Sequence, residues 1–326
     1  MPVDPPLRFS KAVAIVNPAA DGGRAGSRWG RWETPFRNWI GSLQVLSTRR
    51  PGEEPDLVRE ALESRPEAVI GVGGDGTLRG IAEGIVRHRI SADCDPALVP
   101  FPLGSGSDYA RTLGLAGTAQ EVFLRLRNRA TLSRVDVGWV ELREGASRRD
   151  RLWLNQSYVG FGARVVRRVN RPRGLLPKSY ARGALRELFH ARPLLVRIRD
   201  GDLEGPPKRI TTLLVANGQY SGGGMWTCPP ADPSDGALDV EVIDALSRWH
   251  LALQLGQFRR GRHLSHPAVH LSRASTLAVE GLSSSEEPVE ADGEILGSLP
   301  ARYRIEPRAL PVARVRPPSG IKVPAA

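Results

Sequence analysis

Residues 68–78, AVIGVGGDGTL, restrict the fold more than any other stretch of this chain. The apolar start, Ala68, Val69, Ile70 and Val72, reads as a buried parallel strand that breaks into Gly73-Gly74-Asp75-Gly76-Thr77. After it, Leu78, Ile81, Ala82, Ile85 and Val86 recur at helical spacing, so the glycines occupy a strand-to-helix turn. An open α/β sheet binds its ligand at such a turn. Glycines admit close backbone approach, and the first N–H groups of the helix can hold a phosphate. An acid in that cradle, Asp75, repels a phosphate unless a divalent cation or a hydrogen-bonding role offsets its charge. The combination points to a nucleotide–metal site; its competitor is a plain surface turn.

Two further strand ends repeat the pattern. KAVAIV, residues 11–16, predicts a strand that ends at Asn17-Pro18 and a glycine-rich loop, followed by a helix near residues 28–40. A second strand is expected at 43–47, a helix at 56–64, and a fourth strand at 97–101 ending in Pro102-Leu103-Gly104-Ser105-Gly106-Ser107-Asp108. Strands alternating with helices predict a parallel sheet with helices on both faces, its three loops converging on one ligand. From about Asp136 the rhythm changes. Closely spaced strands are expected at 137–142, 152–159, 194–199, 209–216, 238–243, 276–280 and 302–305, which predicts an antiparallel sandwich or barrel-like second domain. Helices at 177–191 and 247–260 interrupt it, and a frayed tail is expected from Pro317.

Of the 326 residues 40% are hydrophobic and 25% charged, as in a globular protein large enough for two domains. No apolar run approaches the ~18 residues of a membrane span, and the N-terminal apolar stretch is short for a signal peptide. Cys94 and Cys228 show no metal-ligand spacing and are expected to be reduced. A cytoplasmic location follows as the expectation. The net charge of +11 calls for an anionic partner: nucleotide, nucleic acid or an acidic membrane surface.

The blocks VNPAADGG (16–23), GGDGT (73–77), PLGSGSDYAR (102–111), NQSYVGFGA (155–163), NGQYSGGGM (217–225), PPADPSDGALDV (229–240) and DGE (292–294) resemble, in that order, those of the soluble bacterial diacylglycerol kinase family, which includes sphingosine and ceramide kinases. The resemblance runs from about Lys11 to Val315. It implies an α/β N-terminal domain of the NAD kinase/phosphofructokinase type over residues 1–136. A mostly antiparallel β-sandwich domain for a lipid substrate follows over 137–305, and residues 306–326 form a C-terminal segment that returns to the first domain. It further implies that Asn17, Pro18, Gly73, Gly74, Asp75, Gly76, Thr77, Gly104, Ser105 and Asp108 bind ATP. Asp75, Asp108 and Asp136 would relate to Mg²⁺, Asp235 to a structural magnesium, and Asp292, with Glu294 beside it, to proton abstraction; Asp75 counts with these two among the catalytic residues. The third block departs from the family's G-T-x-N-D, with Ser105 and Ser107 in place of threonine and asparagine, and Ala19-Ala20 depart from the usual start of the first loop.

Residue chemistry agrees with this assignment. In an extended segment Asp292 and Glu294 face the same side, so one carboxylate can take a hydroxyl proton while its neighbour helps hold Mg²⁺. Phosphoryl transfer needs little beyond positioning, charge neutralisation and an aligned nucleophile. Standing alone, Asp292-Gly293-Glu294 would read as a hairpin turn. From Arg164 to Arg192 nine basic residues stand against the lone Glu187, which reads either as a solvated face or as a docking surface for an anionic membrane. Nucleic acid ranks below both, since no nucleic-acid module is recognisable. The spacing of His263, His266 and His270 does not suit zinc, and Ser157 and Ser221 lack a nucleophile elbow. A homodimer is compatible with this pattern.

The expected activity is transfer of the ATP γ-phosphate to a lipid hydroxyl, with diacylglycerol yielding phosphatidic acid, by a cytoplasmic enzyme that associates peripherally with the membrane. The alternatives are an NAD kinase-like enzyme and a non-catalytic, nucleotide-regulated membrane-binding protein.

Overall fold

In the computed structural model, residues 6–92, 94–104, 106–145, 147–170, 180–201, 203–283 and 286–315 are described. The chain divides into two compact units, one built from the chain up to Val135 with a return from Arg308, the other from Asp136–Pro307.

The first unit is an α/β sheet. Strands β1 (Lys11–Val16), β2 (Ser42–Ser47), β3 (Ala68–Gly73) and β4 (Ala97–Pro102) lie parallel in the order β2-β1-β3-β4. The registers Lys11↔Ser42, Ala12↔Ala68 and Ala68↔Ala97 align the carboxyl ends of β1, β3 and β4. β3 is buried at every position and β1 and β4 at all but one, as expected of strands covered on both faces. The helix expected over residues 28–40 is broken into α1 (Ala25–Trp29) and α2 (Glu33–Trp39). Its aromatic residues are used in packing: Phe36 meets Phe101 and Phe123 edge-on at 4.9 and 5.1 Å between ring centroids. Next come α3 (Glu54–Glu63), α4 (Asp75–Ala92), the short α5 (Asp108–Thr112) and α6 (Ala119–Asn128). Thr118 and Glu121 cap α6 reciprocally, which fixes where it starts.

The second unit is mostly antiparallel. Strand β5 (Thr131–Glu144) leads into it and pairs with β6 (Ser147–Trp153). β7 (Gln156–Gly160) is followed by α7 (Phe161–Asn170) and α8 (Tyr180–Leu188). Then come β8 (Leu194–Asp200), β9 (Lys208–Ala216), β10 (Leu238–Asp244), α9 (Arg248–Phe258), β11 (Val269–Ala274) and β12 (Thr276–Gly281). The chain ends through β13 (Pro288–Ala291), β14 (Glu294–Ser298) and β15 (Ala301–Arg314). β7 pairs with both β9 and β13, and β12 with both β8 and β15. Trp153, Val159, Leu213, Val215, Leu277 and Tyr303 are among the side chains of its core.

Three expectations need correction. The strand expected over 152–159 is interrupted at Leu154-Asn155, where the carboxylate of Asp292 takes the backbone N–H groups. Residues 164–170, read as the start of a basic run, belong to α7, which begins at Phe161, because Phe161, Val165 and Val166 make a buried stripe at helical spacing. The helix expected over 177–191 is described only from Tyr180 to Leu188; Arg171, Arg173, Lys178 and the tail from Pro317 lie outside the described residues.

Candidate functional site

In the first unit Asn17 joins two of the strand ends, those of β1 and β3. Its backbone N–H donates to the Val72 carbonyl at 2.9 Å, while its side-chain amide donates to Thr77 Oγ1 at 3.0 Å and Glu54 Oε1 at 3.5 Å. The Asn17 Oδ1 in turn accepts from Ala19 N, which holds the turn after Pro18. One residue thereby ties the end of β1 to the end of β3 and to the first turn of α4. Thr77 is 3% exposed, and its side chain fills the space a Cβ on Gly73 would need: that atom would lie 2.5 Å from Thr77 Oγ1.

The turns after β3 and β4 touch through their backbones. Leu103 N and Gly104 N both donate to the Gly73 carbonyl, and a Cβ on Gly104 would sit 2.4 Å from Gly74 Cα. Only glycine permits that approach. Asp75 starts α4, and its carboxylate accepts from Asp108 N and Tyr109 N at 3.0 Å each, capping α5. Burial pushes the Asp75 carboxyl above the usual carboxylate range, opposed by those backbone N–H groups and by the Arg111 charge. Asp108 is itself 7% exposed. A Cβ on Gly106 would lie 3.1 Å from Asp75 Oδ2 and 4.0 Å from Asp108 Oδ2, so two carboxylates adjoin one point beside the glycine turns. Hard oxygen donors next to helix-initial N–H groups are the surroundings that suit Mg²⁺ with phosphate oxygens. Among the described residues no three acidic, histidine or cysteine side chains are gathered as a metal cage, so phosphate oxygens or water would complete the coordination. Ser105 lies outside the described residues.

In the second unit Asp292 and Gly293 do not belong to an extended segment. They are the two-residue turn between β13 and β14, with φ of +49° and +85° and Ala291 paired with Glu294 across it. Positive φ at both central residues is the geometry that matches the twist of a hairpin. The alternation expected for Asp292 and Glu294 is therefore replaced by a turn. Glu294 begins β14 and is exposed. The Asp292 carboxylate turns back on the chain: Oδ2 accepts from Leu154 N at 2.7 Å, and Oδ1 from Asn155 N at 2.9 Å and Gln156 N at 3.3 Å. Its own N–H donates to the Gln156 carbonyl. The peptides on either side of Gly293 are both held, since Gly293 N donates to Glu290 Oε1 at 2.5 Å and Asn170 Nδ2 donates to the Gly293 carbonyl at 2.8 Å.

Glu290 and Asn170 are supporting residues that sequence reading missed. Glu290 is 3% exposed, and burial holds its carboxyl well above the usual range, with the charges of Asp292 and Glu294 adding to the shift. The only signal for it was a lone acid inside the otherwise apolar tetrapeptide Pro288-Val289-Glu290-Ala291.

Asp136 and Asp235 meet a different loop of this unit. Asp136 is fully buried; its Oδ2 accepts from Gly236 N at 2.7 Å, and Asn217 Nδ2 donates to its carbonyl at 3.0 Å. Asp235 accepts from Ala237 N and contacts Arg273. The basic run is only partly available to a partner. Arg164 is 4% exposed and forms a two-pronged ion pair with Glu287, and Arg168 pairs with Glu187.

The comparisons with known proteins agree across both units. The diacylglycerol kinase catalytic domain family matches residues 11–140, and the YegS C-terminal NAD kinase beta sandwich-like domain matches residues 155–314. A diacylglycerol kinase of Mycobacterium tuberculosis (strain ATCC 25618 / H37Rv) is 30% identical over 269 residues, covering 80% of this chain and 81% of that protein. A protein of Stenotrophomonas maltophilia (strain K279a) named probable lipid kinase YegS-like is 28% identical over 276 residues, 82% of this chain and 86% of its own. The crystal structure of a diacylglycerol kinase from Bacillus anthracis str. Sterne shares the fold with a TM-score of 0.68 and 20% identity, covering 94% of this chain and 98% of that one. With an α/β unit, a mostly antiparallel unit and these relatives along its length, the chain belongs to the diacylglycerol kinase and YegS-like family of bacterial lipid kinases.

Proposed function

We propose that the protein transfers the γ-phosphate of ATP to a lipid hydroxyl, with diacylglycerol as the acceptor and phosphatidic acid as the product. The observation that carries this reading is the junction of Gly73, Gly74 and Gly104 at the head of α4, with the Asp75 and Asp108 carboxylates beside Gly106. Helix-initial N–H groups there suit phosphate oxygens, and the paired carboxylates suit a hard cation. ATP-Mg²⁺, when bound, supplies the transferable phosphoryl group and offsets its charge.

The remaining roles belong to this chain's own residues. Asn17, Pro18, Gly73, Gly74, Gly76, Thr77, Gly104, Ser105 and Asp108 shape the nucleotide site, with Asn17 fixing its geometry by joining two strand ends to α4. Asp75 both caps α5 and stands with Asp108 as a cation ligand, while Asp136, Asp235 and Glu294 are the further metal positions. Asp292 receives the proton of the attacking hydroxyl at a carboxylate oxygen. Three backbone N–H bonds hold that carboxylate in one orientation, which is what a general base needs. The name of the M. tuberculosis relative supports diacylglycerol as the acceptor. Such a substrate is met at a membrane surface on the cytoplasmic side, which the basic residues between Arg164 and Arg192 favour.

The test is transfer of labelled phosphate from ATP with Mg²⁺ to diacylglycerol, a sphingoid base, phosphatidylglycerol and a polyprenol in mixed micelles, with NAD as a soluble control. Label in diacylglycerol is the expected result. Label in another lipid keeps the reaction and changes the acceptor. Label only in NAD replaces the reading with nucleotide phosphorylation. Label nowhere, with ATP still bound, favours a regulatory protein.

A further inference from the structure

No residue of α7 has a part in the phosphotransfer chemistry, yet the helix is fastened to the Asp292 hairpin at both ends of β13. Near its start, Arg164 forms a two-pronged ion pair with Glu287, Nε to Oε2 and Nη2 to Oε1 at 2.9 Å each, with both side chains buried. Glu287 directly precedes β13. Asn170, the last residue of α7, donates from Nδ2 to the Gly293 carbonyl at 2.8 Å, just past the other end of that strand. The two anchors lie about 9 Å apart along the helix axis. A third contact fixes how closely the helix lies on the sheet. Gly162 N donates to Thr212 Oγ1 of β9 at 3.3 Å, and a Cβ on Gly162 would sit 2.5 Å from Cδ1 of Tyr158 in β7.

These anchors bear on a strained point. Asp292 is a non-glycine residue at φ of +49°, a conformation that costs free energy and persists where the surroundings over-determine it. The N–H groups of Leu154, Asn155 and Gln156 orient its carboxylate, but they do not hold the peptides that follow it. Two side chains do that: Glu290 accepts from Gly293 N, and Asn170 donates to the Gly293 carbonyl. Glu290 belongs to the hairpin and moves with it. Asn170 ties the turn to a separate element, so its grip depends on where α7 is placed. The arginine fork supplies that placement, since a buried two-pronged pair specifies geometry even where its net contribution to stability is small.

We infer that α7 is a splint for the base and that Asn170 is a positioning residue of the phosphotransfer reaction. By gripping the Gly293 carbonyl, Asn170 keeps the turn in the conformation that aims the Asp292 carboxylate at the acceptor hydroxyl. The Arg164–Glu287 pair sets the helix at the distance where that grip is made. This rests on the proposed role of Asp292 as proton acceptor. A general base works only within hydrogen-bond reach of the proton it takes, and a misplacement of about 1 Å costs as much as a hundredfold in rate. A side chain 123 positions away in the sequence thereby governs a carboxylate it does not touch.

Two readouts on the full chain test this: hydrogen exchange at the amides of Leu154, Asn155 and Gln156, and transfer of labelled phosphate to the acceptor lipid found in the panel above. Asn170→Leu keeps the side chain's size and neutrality and removes its donor. It should speed exchange at those amides about tenfold and lower kcat about tenfold, with KM for ATP within about twofold of wild type. Made on Asp292→Asn, it should lower the residual rate no further, because it acts only through that carboxylate. Arg164→Met with Glu287→Leu is the second variant. It replaces the ion pair by apolar packing and should lower kcat about threefold without loss of folding. A change in only one of the two readouts on Asn170→Leu, or in neither, overturns the inference, as does an equal further loss on the Asp292→Asn background. Near-normal turnover by Asp292→Asn alone removes the base assignment and the splint's role with it. No label in any acceptor with the wild type is the failure of the function reading itself, and the inference falls with it.

Discussion

Asp75 and Asp292 are two acids in glycine turns that serve their units in opposite ways. Asp75 opens a long helix and caps a second, short one, and its contacts reach about 34 residues along the chain. Asp292 sits at positive φ in a hairpin and holds a segment 138 residues earlier, with its carboxylate meeting three successive N–H groups. The first is a local device, in which strand, glycines and helix follow one another. The second is a long-range clamp that breaks a strand where nothing nearby would break it. Carboxylates in both places stay oriented because backbone donors hold them, whatever chemistry they also perform.

Exchanging the acid for its amide puts this contrast under the greatest strain. Asp292→Asn should reduce turnover by about a thousandfold or more while ATP binding by the first unit stays measurable. Near-normal turnover would reduce Asp292 to a clamp. The glycines come next. Gly104→Ala should destabilise the first unit by about 3 kcal/mol and weaken nucleotide binding, because its Cβ meets Gly74 backbone and no flexible side chain can give way. Urea unfolding with nucleotide titration checks both effects, and an unchanged midpoint would mean the two turns can part.

Asp239 sharpens the comparison from the other side, as an acid that faces the Arg273 guanidinium at 3.9 Å. Burial raises its carboxyl from 3.8 to about 6, with Asp235 and Asp232 adding to the rise and Arg273 opposing it. The folded state thus holds this proton more tightly than the unfolded one. Its contribution to stability therefore falls as pH rises from 3.8 to about 6 and stays low above that window. Asp239→Asn should gain about 2 kcal/mol over the wild type above the window and nothing below it. Denaturation midpoints on either side of the window measure this, and a pH-independent difference would reject the buried-charge account. The smallest effect belongs to Gly293→Ala, which should cost about 1 kcal/mol in melting experiments because φ is +85° there. A neutral result would show that the Glu290 and Asn170 bonds tolerate a relaxed turn.

The same contrast explains what could be read in advance. β1, β3 and β4 were legible because buried parallel strands are continuous apolar runs, and the Gly73–Gly76 turn because a helix period starts directly after it. The order of the blocks made the family legible. The Asp292 turn was visible as Asp-Gly-Glu, yet its partners at Leu154, Asn155 and Gln156 were not, because no local signal marks a contact so distant in sequence. α7 was hidden by its own charge, since Arg164, Arg167 and Arg168 dominate a stretch whose valines form the buried stripe. β11, β13 and β14 escaped because they are short and mix polar with apolar residues.

β15 carries a consequence for synthesis. Its early residues pair antiparallel with β12, whereas Val312 lies parallel to β4 beside Leu98. The first sheet therefore receives its last strand from the far end of the chain. While the ribosome is still making the second unit, β4 waits with that edge uncovered, and an open edge invites pairing with other chains. A fragment ending near Val135 keeps that edge for good. The nascent protein has to complete its second unit before its first is sealed.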